Sequence, residues 1–220
     1  IISFLQIMYL RQGLIMKKII FSLLICTLLS CQENRPHGNQ YDLPELTRNN
    51  FLMGNLNENR SSYRVSFYDI NIDFDINNKS LDGFVTIKAE SKSDINQLQV
   101  DLAENLNIKS IIFQNKEVTF KREYDAVLIK FPETIRKNNF FEFTINYEGV
   151  PQNADNPPWA GGFTWSKDKD NRDWIAVSCE GEGARIWWPN KDHITAEGDS
   201  VKMTYTVPSN LVAVGNGKLR

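Results

Sequence analysis

The densest concentration of reactive side chains in the chain is the run Cys179-Glu180-Gly181-Glu182-Gly183-Ala184-Arg185-Ile186-Trp187-Trp188-Pro189-Asn190-Lys191-Asp192-His193. Glu180 and Glu182 stand among glycines, just past the short apolar run Trp174 to Ser178. Glycine lets a backbone turn sharply or approach a ligand closely. Carboxylates at the rim of a sheet, beside tryptophans, could hold a cationic group in a low-dielectric pocket. Arg185 could pair with a carboxylate and fix the loop. The same residues also describe a structural loop with tryptophan packing and surface acids, and composition alone favours that alternative. A second unusual segment precedes it: Asn156-Pro157-Pro158-Trp159-Ala160-Gly161-Gly162-Phe163-Thr164-Trp165 is a Pro/Gly-rich loop carrying two tryptophans.

No metal centre is expected from these residues. The chain has two histidines, His37 and His193, and three cysteines, Cys26, Cys31 and Cys179. A catalytic zinc usually takes three protein ligands, commonly including two histidines, and no HExxH or other paired-histidine spacing occurs. His193, Cys179 and the glutamates match no tetrahedral set, and Cys179 reads as a small core residue. The cysteines do not outline a disulfide scaffold or a zinc knuckle. The formal net charge of −2 points to neither nucleic acid nor an anionic membrane surface. With 220 residues, 41% of them apolar, the chain can build a sizeable core in one or two domains.

The elements that must position the run are strands. Ile70, Ile72, Phe74 and Ile76 alternate with Asn71, Asp73 and Asp75, the period of a half-buried strand. Asn77-Asn78-Lys79-Ser80 is a turn cluster. Further strands are expected over Phe84 to Ala89, Gln97 to Leu102, Ile108 to Phe113, Val118 to Lys121 and Ala126 to Phe131, with a hairpin at Asn115-Lys116. Phe141, Phe143, Ile145 and Tyr147 alternate again, as do Val201, Met203, Tyr205 and Val207. Leu211 to Val214 reads as a last strand, followed by the turn signal Gly215-Asn216-Gly217. The expected fold is all-β, a saddle-like antiparallel sheet or sandwich over residues 61–220.

Ahead of that body lies an export signal. Met16 is followed by Lys17 and Lys18, the apolar run Ile19 to Ser30, and Cys31. A basic start, a short apolar run and a small terminal residue describe a signal peptide over 16–31. Leu28-Leu29-Ser30-Cys31 looks like a bacterial lipobox, in which Cys31 becomes the lipid-bearing first residue. One acylated cysteine anchors a protein to a membrane without spanning it. The expected location is therefore exported and anchored to a bacterial membrane. Residues 1–15 read as upstream sequence, and residues 32–60 as a polar tether.

The motif segments resemble the aminopeptidase N family of zinc metallopeptidases, which includes the leukotriene hydrolases. Ser66-Phe67-Tyr68-Asp69-Ile70 and Leu81-Asp82-Gly83 look like that family's opening strands. Gly161-Gly162-Phe163-Thr164-Trp165 resembles its G-[LF]-Y loop. Cys179 to Arg185 with Trp188-Pro189 and Asp192 resembles its segment [QE]-x-x-x-A-R-x-x-[FW]-P-x-x-D. The resemblance departs at Gly183, where the family has an acid, and at His193, where proline is usual. It implies that Glu180, with Gly181 and with Glu182 as a possible substitute, binds the free α-amine of a peptide substrate. Arg185, Trp188 and Asp192 would then hold the loop. It also implies zinc in the whole enzyme, held by HExxH and a distant glutamate that these 220 residues lack, so the chain alone is expected to bind no zinc and to be inactive. The implied partners are a peptide amino terminus and a catalytic domain, in cis or as a separate chain. The competing expectation is a non-catalytic β-sandwich lipoprotein that binds peptide or carbohydrate through its Trp-rich loop.

Overall fold

The computed structural model describes residues 45–219. Segments 1–15 and 16–31, the expected lipidation site Cys31 and residues 32–44 of the expected 32–60 tether lie outside the described residues. Among the described residues no helix is long and apolar enough to cross a membrane.

The chain enters through two short helices, α1 (Arg48–Gly54) and α2 (Glu58–Ser61). The sequence reading expects none here, because 7 and 4 residues are too few to display a helical period. Local caps define them instead. The Thr47 hydroxyl accepts from the Asn50 amide while the Asn50 side chain accepts from the Thr47 amide, a reciprocal capping box. The Asn57 side chain caps α2 by accepting from the Arg60 amide. Helices this short are unstable alone; these persist because Leu52 and Arg60 are buried against the body of the domain.

Eleven strands follow: β1 (Tyr63–Asp75), β2 (Ser80–Ser91), β3 (Ile95–Asp101), β4 (Leu106–Phe113), β5 (Lys116–Glu117), β6 (Phe120–Glu123), β7 (Ala126–Ile135), β8 (Phe140–Gly149), β9 (Gly162–Lys167), β10 (Asp173–Ser178) and β11 (Ser200–Thr206). They form a six-stranded sheet in the order β11-β1-β2-β8-β4-β5, a three-stranded sheet β3-β7-β6 and the ribbon β10-β9. The alternation read from sequence holds: Ile70, Ile72, Phe143, Ile145 and Tyr147 all point into the core. Residues of the two larger sheets share one apolar cluster. Phe131 of β7 sits 4.8 Å from Phe113 of β4 and 6.1 Å from Phe143 of β8, ring centre to ring centre. The domain is an all-β sandwich, as the alternation predicts.

Three details differ from the sequence expectation. The sheet is mixed, because β11 runs parallel to β1; it returns after a long excursion, and only a long connection can deliver a parallel neighbour. The β4–β5 hairpin turns at Gln114-Asn115, one residue earlier than expected, with φ of 51° and 60° and with Phe113 paired to Lys116. Both central residues at positive φ are what a tight hairpin turn requires. Leu211 to Val214 form no strand, and Val212 and Val214 are almost fully exposed; among the described residues no strand pairs with them.

Gly83 lies in β2 where β2 crosses β1. A Cβ there would press into the Asn71 carbonyl oxygen of the neighbouring strand. Gly83→Ala is therefore expected to cost about 1–3 kcal/mol of stability through forced strand displacement. Urea denaturation checks it, and an unchanged midpoint would mean that the two strands part freely.

Candidate functional site

The Glu180 run begins where β10 ends. The carbonyl of Cys179 accepts from the amides of Glu182 at 3.2 Å and Gly183 at 2.9 Å, closing a tight turn. Gly181 and Gly183 take φ of +80° and +86°, the region that residues with a Cβ avoid. Glu180 stands exposed at the tip of this turn, and Glu182 is half-buried on its return limb. The sequence alone could not place the Trp-rich loop next to this turn, but the structure does. A Cβ on Gly161 would lie 2.8 Å from the Glu182 Cγ and 2.5 Å from the Ser178 carbonyl. Bare backbone at 161 is what allows the Glu182 methylenes to lie over it.

Behind the turn runs a row of aromatic rings. Trp165 stacks on Phe163 at 5.3 Å, Phe163 meets Trp187 at 6.3 Å, and Trp187 meets Tyr205 at 6.2 Å. Trp188 stands edge-on to Tyr68 at 5.0 Å. Trp159 is not part of this row and is 73% exposed. Trp174, on the outer face of the ribbon, is 60% exposed.

Arg185 pairs with two aspartates rather than with the neighbouring glutamates. Its Nε donates to Asp125 Oδ2 at 2.9 Å and its Nη1 to Asp192 Oδ2 at 3.1 Å, while its carbonyl accepts from the Ala103 amide at 2.9 Å. Asp125 also receives the Glu104 amide at 3.1 Å, so one β6–β7 turn residue ties two loops. The Asp192 carboxylate lies directly against Gly183, where any Cβ would collide with it. The departure from the family pattern at 183 thus has a steric counterpart: the space beside 183 is filled by the carboxylate of 192.

Four contributors escape the sequence reading: Asp101, Arg60, Asp125 and Lys191. Asp101, the last residue of β3, is completely buried. Its carboxylate pairs with Arg60 and accepts from Gln99 Nε2 at 2.8 Å and from the Asp192 amide at 3.0 Å. Its backbone exchanges two hydrogen bonds with Asn190, at 2.7 and 3.1 Å. The only sequence signal was an acid inside Leu98 to Leu102, where Leu98, Val100 and Leu102 alternate with Gln99 and Asp101. Lys191 is buried too; its Nζ donates to the Tyr63 carbonyl at 2.8 Å and lies 4.6 Å from the centre of the Tyr63 ring. Burial, and secondarily the Arg60 charge, pull its ammonium down to about 8, against the opposing pull of Asp101.

His193 and Cys179 do not come together with the glutamates. The His193 Nδ1 shares a hydrogen bond with its near neighbour Thr195 at 2.8 Å, and burial raises the half-buried Cys179 thiol. Among the described residues no three His, Cys, Asp or Glu side chains are grouped to hold a metal ion.

A family model described as Peptidase M1 N-terminal domain matches residues 65–219. Among solved structures, a two-domain M1 zinc metallopeptidase mutant bound to L-arginine is similar with a TM-score of 0.55 and 19% identity, covering 69% of this chain and 34% of that one. A two-domain M1 zinc metallopeptidase mutant bound to L-tryptophan gives 0.50 and 19%, covering 61% and 31%. Native leukotriene A4 hydrolase from Saccharomyces cerevisiae gives 0.51 and 16%, covering 67% and 24%. The chain thus spans about a third or less of each of these structures. No curated protein matches its sequence.

Lys191 makes stability depend on pH with a definite sign. Its folded-state value of about 8 lies below the ordinary 10.5. Below pH 8 both states are charged and the full cost of burying the ammonium is present. Between pH 8 and 10 the unfolded chain holds more protons, so stability rises with pH. Cys179, whose thiol burial raises above its ordinary 9, opposes this from about pH 9, and Tyr63 and Tyr68, whose phenols burial holds well above their ordinary 10, oppose it beyond pH 10. Denaturant melts from pH 7 to 10 are expected to show stability climbing more steeply with pH in the native chain than in Lys191→Met; parallel pH curves for the two would refute it.

Proposed function

The chain belongs to the Peptidase M1 N-terminal domain family, and on that premise we propose that it is the amine-recognising part of a zinc-dependent aminopeptidase. The observation that carries the proposal is the presentation of Glu180. It projects from a glycine turn whose return limb is packed on Gly161 and braced by Arg185 between Asp125 and Asp192. A carboxylate so held accepts charge-assisted hydrogen bonds from a protonated α-amine, stronger than those to a neutral or acylated nitrogen. Such a contact selects free peptide amino termini and sets the scissile bond at a fixed distance from the anchor, which is the geometry of an exopeptidase. Glu182, with its stem over Gly161, lies one step behind and lines the same wall. Gly181, without a side chain, leaves room beside Glu180 for the substrate backbone.

The hydrolytic step belongs to a catalytic domain, joined in cis or supplied as a separate chain, with zinc as its Lewis acid. No residue of this chain is assigned a role in that step, and the chain by itself is proposed to be inactive. The lipobox reading adds a lipid at Cys31, which would anchor the protein to a bacterial membrane after export. One observation favours the second reading, a binding module for peptide or carbohydrate: Trp159 and Trp174 offer exposed indole faces on which a ligand could stack.

The test compares the longest polypeptide that carries this sequence with the 220-residue chain, using aminoacyl p-nitroanilides and their N-acetylated counterparts. Only the longer protein is expected to hydrolyse the free-amine substrates, and neither the acetylated ones. Glu180→Ala is expected to lower kcat/KM by about 10- to 100-fold, the value of one hydrogen bond to a charged group. Full activity in Glu180→Ala would remove the role given to Glu180. Absence of any hydrolysis, with sugar or peptide quenching the tryptophan fluorescence instead, would favour the binding module.

A further inference from the structure

Arg60 lies outside the stretch 65–219 that matches the family, yet it is fully buried and reaches the loop that carries the motif. We infer that Arg60 is a positioning residue for the Glu180 turn, so that the functional domain begins before its family-like part. The inference rests on the amine-recognition reading for its functional meaning and on geometry for the rest.

The geometry forms a continuous chain of contacts. One Arg60 terminal nitrogen, Nη1, donates to the carbonyls of Met53 at 2.6 Å and Asn55 at 3.2 Å, fastening the C-terminal end of α1. The other, Nη2, pairs with the Asp101 carboxylate and donates to the Asp192 carbonyl at 2.8 Å. The Asp192 amide in turn donates to the Asp101 carboxylate at 3.0 Å. The backbone of Asp192 is therefore gripped at both N–H and C=O by one ion pair. That grip aims the Asp192 side chain, whose carboxylate holds Arg185 and closes over Gly183. Gly183 and Glu182 donate to Cys179 and so shape the turn that presents Glu180.

Stability alone does not account for the arrangement. Removing a guanidinium from water is costly, and apolar residues of the same volume commonly serve stability as well or better than a buried ion pair. The Arg60 Nε is moreover buried without a partner. What a planar two-armed donor supplies, and an apolar side chain cannot, is fixed direction: α1, β3 and the 192 peptide are held by one rigid fork of donors.

Amide hydrogen exchange on the chain tests the inference directly. In Arg60→Met, and in Arg60→Lys, which keeps the charge but not the fork, the amides of Glu182, Gly183 and Asp192 are expected to exchange at least about tenfold faster, while Val85 and Ile145 in the sheet keep their protection. If Arg60→Met does not fold, Arg60→Lys gives the same readout. Native protection at Glu182 and Gly183 in a folded Arg60→Lys chain would overturn the inference. In the longest polypeptide, Arg60→Lys is expected to raise KM for free-amine substrates about tenfold with kcat changed less than about twofold, and to add nothing in a Glu180→Gln background. An unchanged KM beside a crippled Glu180→Ala would overturn the Arg60 inference alone. Loosened exchange beside a fully active Glu180→Ala would leave the positioning intact and remove the amine-recognition reading.

Discussion

The Asp101 carboxylate is the point on which the rest of the domain turns. It sits at the end of β3, out of reach of water, and every contact it makes comes from a different part of the chain: Arg60 from α2, Gln99 from its own strand, and the Asp192 amide from the motif segment. A buried carboxylate must be compensated on all sides, and the compensation here doubles as a joint between three otherwise separate pieces. The frame around it is ordinary sandwich packing. What is particular to this domain is that an irregular segment, joined to the sheets by a single β-bridge between Asn190 and Asp101, has its 192 peptide held by one acidic side chain and the groups it attracts.

The consequences reach the surface through backbone more than through side chains. Asn190 pairs with the Asp101 peptide, Ala103 with the Arg185 carbonyl, and the Tyr147 hydroxyl with the Trp187 carbonyl at 2.9 Å. Ile186 and Pro189 fill the space beneath. The run from Arg185 to Asp192 thus behaves as an honorary edge of the sandwich, although only a single turn of 3-10 helix, Ala184–Ile186, interrupts its irregular path. The Glu180 turn is the one part left projecting. Its freedom is bounded by Gly161 below and Asp192 behind, which is why two glycines of the motif are sterically obligatory and a third, Gly181, meets nothing at all.

The strands were legible because period-two alternation is a local signal, and β1 and β8 carry it in β-branched and aromatic residues that leave no other face to bury. The motif was legible by resemblance, and the pairing of Arg185 with an acid by charge and proximity in sequence. What was not legible was everything that depends on distance along the chain. Asp125 lies 60 residues from Arg185 and Asp101 lies 91 from Asp192, and no pattern within a window relates them. The helices at 48–61 escaped for the opposite reason, since they are too short for any period to develop. The unpaired run Leu211 to Val214 shows the converse error: strand-like residues make a strand only when a neighbouring ladder accepts them.

The separation between partners also orders events in time. The antiparallel pairs β1–β2, β4–β5, β6–β7 and β9–β10 join strands that are consecutive in sequence, whereas the Arg60 contact to Asp192 spans 132 residues and β11 reaches β1 only after the whole chain between them has been laid down. Closing so long a loop gains nothing until the two ends already have surfaces to meet. The shape of the segment that presents Glu180 therefore waits on the returning chain, which delivers Asn190 and Asp192 to Asp101. A ribosome emitting this chain from its amino terminus releases the latch before the bolt, so that Arg60 and Asp101 must wait for their third partner through most of the domain's synthesis.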